Sequence, residues 1–506
     1  MNHPQSSSSP PTYHNACKLY TLSALTALGW VTIGYNYSVY NPTVSYLSKY
    51  MHWPKDEIPL RHGLGFAMIP IGALLMILLI LWKLSEYSRR KLLILADIFT
   101  IIGAFLTAIE IFSVFLIGRL VLGLAMGING LIVPIYIREM APKEISGKMG
   151  SFSGIGSSFG KLLGFALAFG LPLPINADSQ FCRFMYSVPG LLSVIRISWL
   201  TLFFSYDTPK YYILHDKESE AKGVMQKIYQ EELIDEILDG IKHEKLNEKE
   251  ITNHLLFQRY PIQLQVCTML AALMQLTGIH TLTAYSTAIL TGSLVEDDLN
   301  PDQIREIDWI NFGMGIVRVF SSTIAGFFLD KHGRKSMLLT GTIIQAASLI
   351  LLGMAVQINL KNLAEAMILV FSFGVAMGFG LINPIYYSEV LPSKGCGLML
   401  IIDNIMNLLL NFSFPLLASI GNFGFPGSIY LMSGFAVAGV FGIMKKVVET
   451  KELSMYEIYS LFDEKRRKHP SSSSSENSLA GKEDERQGLI LNDSMTIKLD
   501  NTTDIH

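Results

Sequence analysis

Pro134-Ile135-Tyr136-Ile137-Arg138-Glu139-Met140-Ala141-Pro142 and Pro384-Ile385-Tyr386-Tyr387-Ser388-Glu389-Val390-Leu391-Pro392 are two copies of one element, 250 residues apart. A second pair repeats at nearly the same offset: Ser88-Arg89-Arg90-Lys91 and Gly333-Arg334-Lys335-Ser336, 245 residues apart. Two matched pairs at one spacing imply a parallel duplication. Each copy of the first element closes an apolar run of about 20 residues, the length that crosses a bilayer core. The duplicated unit is therefore a set of membrane helices.

Composition agrees. The 506 residues are 50% hydrophobic and 16% charged, against about 25% charged in soluble domains, and the mean hydropathy is +0.37. Twelve spans would need about 240 residues. The sequence supplies them near 19–40, 63–84, 91–112, 115–137, 148–170 and 186–206, then near 260–290, 309–330, 336–356, 363–388, 395–420 and 426–445. This profile excludes a soluble enzyme, a secreted scaffold and a nucleic-acid binder. The net charge of −2 leaves no basic footprint for DNA or RNA. Cys17, Cys182, Cys267 and Cys396 form no CxxC pair, so no zinc site or disulfide framework is indicated.

The expected organisation is a disordered cytoplasmic tail (1–18), a six-helix bundle (19–206), a charged helical linker (207–259), a second six-helix bundle (260–446), a short helix (447–464) and a disordered tail (465–506). The first residues are Ser/Pro-rich without the charged start and apolar core of a cleavable signal, so the first span itself would target the membrane. In the linker, Val224, Ile228, Ile234 and Ile237 fall at heptad-like spacing and predict a soluble amphipathic helical segment. Lys and Arg cluster after spans 2, 4, 8 and 12, which places both termini in the cytoplasm. Lys49, Lys55 and Arg61 in the first outer loop run against that majority.

Duplicated halves around a midplane site are the architecture of alternating-access transporters. Their inner ends must hold together in one state and part in the other. Glu139 and Glu389 at helix ends, with Arg89, Arg90, Arg334 and Lys335 in neighbouring loops, can form breakable ion pairs for that purpose.

These residues also carry a resemblance. From about Gly34 to Ile458 the chain resembles the sugar porter family of the major facilitator superfamily, the family of the facilitative glucose transporters. Gly118-Arg119-Leu120 with Gly123 and Gly127 looks like its fourth span. Asp207-Thr208-Pro209-Lys210-Tyr211 resembles the Pro-Glu-Ser-Pro-Arg element after span 6. Gln275-Leu276-Thr277-Gly278-Ile279 is similar to the Gln-Gln-Leu-Thr-Gly-Ile-Asn of span 7, Asp330-x-x-Gly333-Arg334-Lys335 to its loop motif, and Glu449-Thr450-Lys451 to the close of the last span. The resemblance implies an all-α fold of twelve transmembrane helices in two six-helix halves. There are departures. The arginine that follows each repeat glutamate in the family is Ser146 in one half and Cys396 in the other. Of the family's sugar-holding polar positions, Gln275 and Asn411 keep their type. The span 5 glutamine is Gly154, the first span 7 glutamine is Met274 and its asparagine His280, the span 8 asparagine is Arg318, and the span 10 acid and tryptophan are Ala376 and Pro384.

Helical spacing aligns Asp403, Asn407 and Asn411 on span 11, Thr32, Asn36 and Tyr40 on span 1, and Ser153, Ser157 and Lys161 on span 5. Such stripes on apolar helices predict a wet cavity. Lys161, Arg196, Arg318 and Asp403 lie inside spans. Each would cost about 2.5–3.5 kcal/mol at a lipid-facing helix centre, so they must face the interior or snorkel. Gly156-x-x-x-Gly160-Lys161 lacks the spacer and the Ser/Thr of a phosphate-binding loop. With Gly164, its glycines predict close helix packing instead.

The resulting expectation is a passive carrier of a hexose or related polyol, with membrane lipid and the solute as partners, no cofactor, no metal and no enzymatic residues. Gln275, His280, Asn407, Asn411, Asn36 and Arg318 would bind substrate. Tyr285, at the family's outer-gate position, would close the outer side. Arg89, Arg90, Arg119, Glu139, Asp207, Arg334 and Glu389 would time the inner side. Proton symporters of the family carry an aspartate in the Gly-Tyr-x element of span 1; here it is Gly34-Tyr35-Asn36, and asparagine cannot titrate. Three readings stay open: proton coupling through Asp403 or His280, an organic-anion carrier using Lys161, His280 and Arg318, and a nutrient sensor that moves nothing. Glu485-x-x-x-Leu489-Ile490 resembles an acidic dileucine signal, which would recruit a sorting adaptor and favour an endolysosomal or vacuolar membrane over the plasma membrane.

Overall fold

A bilayer offers no water to backbone N–H and C=O groups, so apolar runs of this length close their hydrogen bonds as helices. The computed structural model describes residues 16–54, 57–81, 83, 86–109, 111–142, 145–173, 180–235, 237–242, 253–292, 300–420, 423–451, 453, 457–458 and 460–462. The N-terminal half holds Ala16–Thr26, Leu28–Ser38 and Tyr40–Tyr50 (together span 1), Ile58–Leu81, Arg89–Thr107, Phe112–Met140, Ser146–Ala168 and Gln180–Leu202. The C-terminal half holds Pro261–Leu276 with Thr281–Thr291 (span 7), Pro301–His332, Arg334–Gln357, Lys361–Met377 with Phe379–Val390 (span 10), Ser393–Ala418 and Gly424–Lys446. Among the described residues these make twelve spans, and ten are long and apolar enough to cross a membrane by length and composition. The other two are spans 3 and 5. Span 3 starts with Arg89, Arg90 and Lys91 and contains Asp97; span 5 is rich in Gly and Ser and contains Lys161.

Small residues let the helices approach. A Cβ on Gly34 would lie 1.9 Å from the carbonyl oxygen of Ser157, and one on Gly160 would lie 2.0 Å from that of Val31. Spans 1 and 5 thus touch backbone to backbone along the glycine stripe. Span 7 breaks between Leu276 and Thr281, where Gly278 has φ +84°. An alanine there would be strained by that φ and would meet Met432 Sδ at 2.7 Å. The halves meet along spans 5 and 8 and along spans 2 and 11.

Span 8 starts at Pro301, well before its apolar core. Asn300 and Gln303 form a reciprocal capping box there, which adds polar turns that hydropathy does not reveal. Among the described residues the linker is a series of short helical pieces: Pro209–Leu214, Glu218–Met225, a 3-10 turn Glu231–Leu233, helical residues at 234–235 and 237–242, and Asn253–Arg259. Ile234 and Leu238 close a small core with Ile213, Ala221 and Met225, whereas Val224 and Ile228 pack into the N-terminal half with Leu19 and Met140. Span 12 ends at Lys446, and the chain leaves it extended. Met1–Met455 forms one unit; within Tyr456–His506, residues 457–458 and 460–462 are helical. Glu485, Leu489 and Ile490 lie outside the described residues.

Candidate functional site

At the linker face each half builds the same assembly from the same residue types. In the N-terminal half Glu139 accepts from Arg89 Nη2 at 3.4 Å and from Thr208 Oγ1 at 2.6 Å. Asp207 accepts from the Thr208 N–H at 2.9 Å, from the Arg90 N–H at 3.4 Å and from the Ser88 hydroxyl. In the C-terminal half Glu389 accepts from Arg334 Nη2 at 2.7 Å and Nε at 3.0 Å, and from Thr450 Oγ1 at 2.6 Å. Glu449 accepts from the N–H groups of Arg334 at 2.8 Å and Lys335 at 3.0 Å. A carboxylate beyond the last helix of each half therefore sits on the N-terminus of its third helix, where helix N–H groups lack internal partners. The adjoining threonine ties down the repeat glutamate. Arg90 itself is directed to the Leu200 carbonyl at 2.9 Å.

The two repeat elements also touch. Arg138 Nη1 donates to the Ser388 carbonyl at 2.5 Å, and these residues occupy the same position in the two copies. That contact joins the two halves at the linker face.

Closure at the opposite face is aromatic. Tyr285 is buried between His62, Phe66 and Phe414, at ring separations of 5.1, 6.4 and 5.1 Å. Its hydroxyl donates to the Asn411 carbonyl at 3.0 Å. Beside it Asn41 Nδ2 donates to Ser286 Oγ at 2.8 Å, joining span 1 to span 7, and Ser286 Oγ donates to Asn311 Oδ1 at 2.6 Å.

Between these closures lie the polar groups of the midplane. Asn407 Nδ2 donates to the Tyr37 hydroxyl at 2.8 Å across the halves. Asn411 Nδ2 donates to Asn407 Oδ1 at 2.5 Å. His280 stacks on Tyr37 with ring centroids 4.2 Å apart. Gln275 Nε2 donates to Asp403 Oδ1 at 2.7 Å. Arg318 Nη2 donates to Thr283 Oγ1 at 2.9 Å and to the Ile279 carbonyl at 3.3 Å. Ser158 and Ser322 share a hydrogen bond of 2.7 Å between spans 5 and 8. Asn36 Oδ1, His280 Nδ1, Thr281 Oγ1 and Asn411 Oδ1 are buried without a protein partner. They are the hydrogen-bonding capacity that a hydroxylated solute could use.

The sequence-derived set divides accordingly. Gln275, His280, Arg318, Asn407 and Asn411 are buried in the C-terminal half near the join. The Asn36 amide is instead turned back on its own helix, donating to the Thr32 carbonyl at 2.8 Å. Thr32 and Tyr40 likewise bond within the N-terminal half, so the span 1 stripe is a packing seam. Arg119 lies beneath it, donating to the Gly65 and Asn36 carbonyls at 3.1 and 3.3 Å and lying 4.6 Å from the Tyr40 ring centroid. Arg196 faces inward and pairs with Asp97 at 2.7 Å, both 1% exposed.

Three functional contacts escaped the sequence reading. Tyr37 reaches the other half, Asp97 answers Arg196, and Glu449 with Thr450 mirrors Asp207 with Thr208. The last was open to detection, because an acid-threonine dipeptide recurs 242 residues on, close to the repeat offset.

Known proteins bear directly on this geometry. The family described as "Sugar (and other) transporter" matches residues 22–462. The chain is 28% identical over 454 residues to the plastidic glucose transporter 4 of Arabidopsis thaliana, covering 85% of this chain and 78% of the relative. It is 26% identical to the major myo-inositol transporter IolT of Bacillus subtilis (strain 168), covering 88% and 94%. Its fold is that of the proton:xylose symporter XylE, a major facilitator protein, solved bound to 6-bromo-6-deoxy-D-glucose: TM-score 0.78 at 20% identity, covering 88% and 100%. Twelve spans among the described residues in duplicated halves, matched ion-pair assemblies at one face and a match over nearly the whole chain lead to one assignment: this multi-pass membrane protein has the fold of a major facilitator protein, belongs to the sugar (and other) transporter family, and is a transporter rather than an enzyme.

Proposed function

We propose that the chain carries a hexose or related polyol down its gradient by alternating access. The observation that carries this reading is the set of buried amides between the halves, Asn407, Asn411 and Gln275, bounded by Tyr285 toward one face and by the Arg138–Ser388 contact toward the other. Each sugar hydroxyl must exchange water for a protein partner. A net gain of about 1 kcal/mol per bond suits weak binding and quick release. His280 and Arg318 complete the binding set; Asn36, whose amide N–H is spent on Thr32, offers it the side-chain oxygen alone. Tyr285 is the outer gate. The inner gate is Arg89, Glu139, Asp207, Arg334 and Glu389 at the linker face, with Arg90 beside them; Arg119, expected among them, lies instead toward the Tyr285 end of span 4, against Gly65 and Tyr40. The basic residues after spans 2, 4, 8 and 12 support a cytoplasmic linker and termini.

Passive transport is favoured by Asn36. Its backbone carbonyl meets Arg119 at 3.3 Å, and the side chain at this position cannot exchange a proton with solvent. Relatives of known name include both glucose transporters and a proton:xylose symporter, so the coupling must come from this chain's own residues. One observation supports the second reading, proton symport: Asp403 is hydrogen-bonded to Gln275 within the span. Uptake of labelled glucose and myo-inositol into proteoliposomes, with and without an acid-outside gradient, tests both. Equilibration without accumulation is expected. Accumulation driven by the gradient overturns uniport, and absence of any uptake overturns the solute class.

A further inference from the structure

Two cations meet at the join between the halves. Lys161 on span 5 and Arg318 on span 8 line one cavity with Ser157, Ser158, Ser322 and Gly380. They are 5% and 2% exposed. Elsewhere inside the spans Arg196 is paired with Asp97, Asp403 accepts from the Gln275 amide, and Arg119 is held by the Gly65 and Asn36 carbonyls and the face of Tyr40. At this cavity two cations of like sign share one space with neutral groups alone. Among the described residues no acceptor meets Lys161, and the charge that acts on it is the like charge of Arg318. Arg318 commits Nη2 to neutral oxygens, which leaves Nε and Nη1 for the cavity, and no carboxylate acts on it. His280 stands within the field of both cations, with Nδ1 unpartnered.

A buried cation needs a counter-charge or well-placed acceptor dipoles, and two of like sign in one cavity need the counter-charge more. Serine hydroxyls alone do not supply it. We infer that the transported solute is an anion: a sugar- or polyol-sized molecule bearing a carboxylate or a phosphate, whose charged group sits between Lys161 and Arg318. Its hydroxyls reach the amides of Asn407, Asn411 and Gln275. This inference deepens the proposed function and rests on it. One cation comes from each half, so the bound anion ties the halves together, and the solute that neutralises the cavity is the one that lets it close.

The test is uptake by the purified full chain in liposomes of labelled glucose, glucuronate and glucose 6-phosphate, with Lys161→Gln, Arg318→Asn and the double variant. At least one anion should be preferred over glucose by about ten-fold or more, as expected for a charge-assisted pair of hydrogen bonds. The carboxylate and phosphate arms identify which group is read. The double variant should shift the ratio toward glucose by about ten-fold, and Lys161→Arg should keep the wild-type ratio. As a check independent of variant folding, the preferred anion should raise the melting temperature of the wild-type protein at concentrations where glucose does not. Glucose uptake with no uptake of either anion, or a ratio unchanged in the double variant, overturns the inference and leaves the hexose reading standing. Failure of all three solutes to move overturns both.

Discussion

The linker face and the middle of the molecule treat charge in opposite ways. At the linker face Glu139, Asp207, Glu389 and Glu449 each meet a base or a helix N-terminus from their own half, and the two halves do so alike: Glu139 with Arg89 and Thr208, Glu389 with Arg334 and Thr450. In the middle the halves differ. Lys161 stands 250 residues before Asn411, the same repeat position bearing a cation in one half and an amide in the other. The difference separates two tasks. A gate assembled within each half works whatever the solute, so duplication preserves it. A solute is not two-fold symmetric, so the site between the halves is free to diverge.

This contrast can be broken most forcefully at a paired charge. Arg196→Met would leave Asp97 buried without its partner. Removing one member of such a pair costs about 3–5 kcal/mol, and the detergent-purified variant should melt far below the wild type. Lys161→Leu should do the reverse. It removes a cation with no counter-charge, and a charge at a helix centre costs about 2.5–3.5 kcal/mol, so the melting temperature should rise. If Lys161→Leu destabilised as Arg196→Met does, the cavity cation would be structural and the contrast would be lost.

The gates give the next effect. Glu139 and Arg89 are almost fully buried, at 3% and 2% exposure, while Glu389 and Arg334 are 23% and 10% exposed. An alanine at Glu139 leaves a guanidinium in the drier setting, so Glu139→Ala should lower stability more than Glu389→Ala. Losses of about 1–3 kcal/mol are the scale for an unmade charged hydrogen bond. Equal melting temperatures would show that solvent reaches both pairs alike.

What the sequence made legible follows the same division. The repeated elements announced the halves, and the pairs of Arg89 with Glu139 and of Arg334 with Glu389 were legible because each occurs twice. Hydropathy found the spans but misplaced their ends, as at Pro301, because it reads lipid contact and is blind to polar turns held by a capping box. In the linker the spacing of apolar residues could not tell that they serve two cores, Val224 and Ile228 turning to one and Ile234 and Leu238 to another. At the site, Gln275, Asn407 and Asn411 were visible as polar residues at helical spacing. Their partners were not. Tyr37 lies 370 residues from Asn407 and Asp97 lies 99 from Arg196; each occurs once, and neither leaves a periodic trace. The same spacing argument misassigned the span 1 stripe, since a helix-packing seam and a cavity wall share one periodicity.

The smallest effect concerns the carboxylate beyond span 6. Burial pushes the Asp207 carboxyl above the usual carboxylate range, against the pull of hydrogen bonds from Ser88 and the Thr208 and Arg90 N–H groups. A carboxyl whose pKa is raised by folding binds its proton more tightly in the folded state. Its contribution to stability therefore falls as pH rises from the unfolded value through the folded one, and is regained on acidification. Asp207→Asn cannot titrate. At neutral pH it should cost about 1 kcal/mol or less, because the amide oxygen still accepts at the helix N-terminus. As pH drops through the carboxylate range, the wild type should gain on the variant. Melting curves of the two proteins across that range read the effect directly. A constant gap would mean that the cap holds Asp207 ionised as firmly as water does, and that desolvation at this face is fully offset by the hydrogen bonds around it.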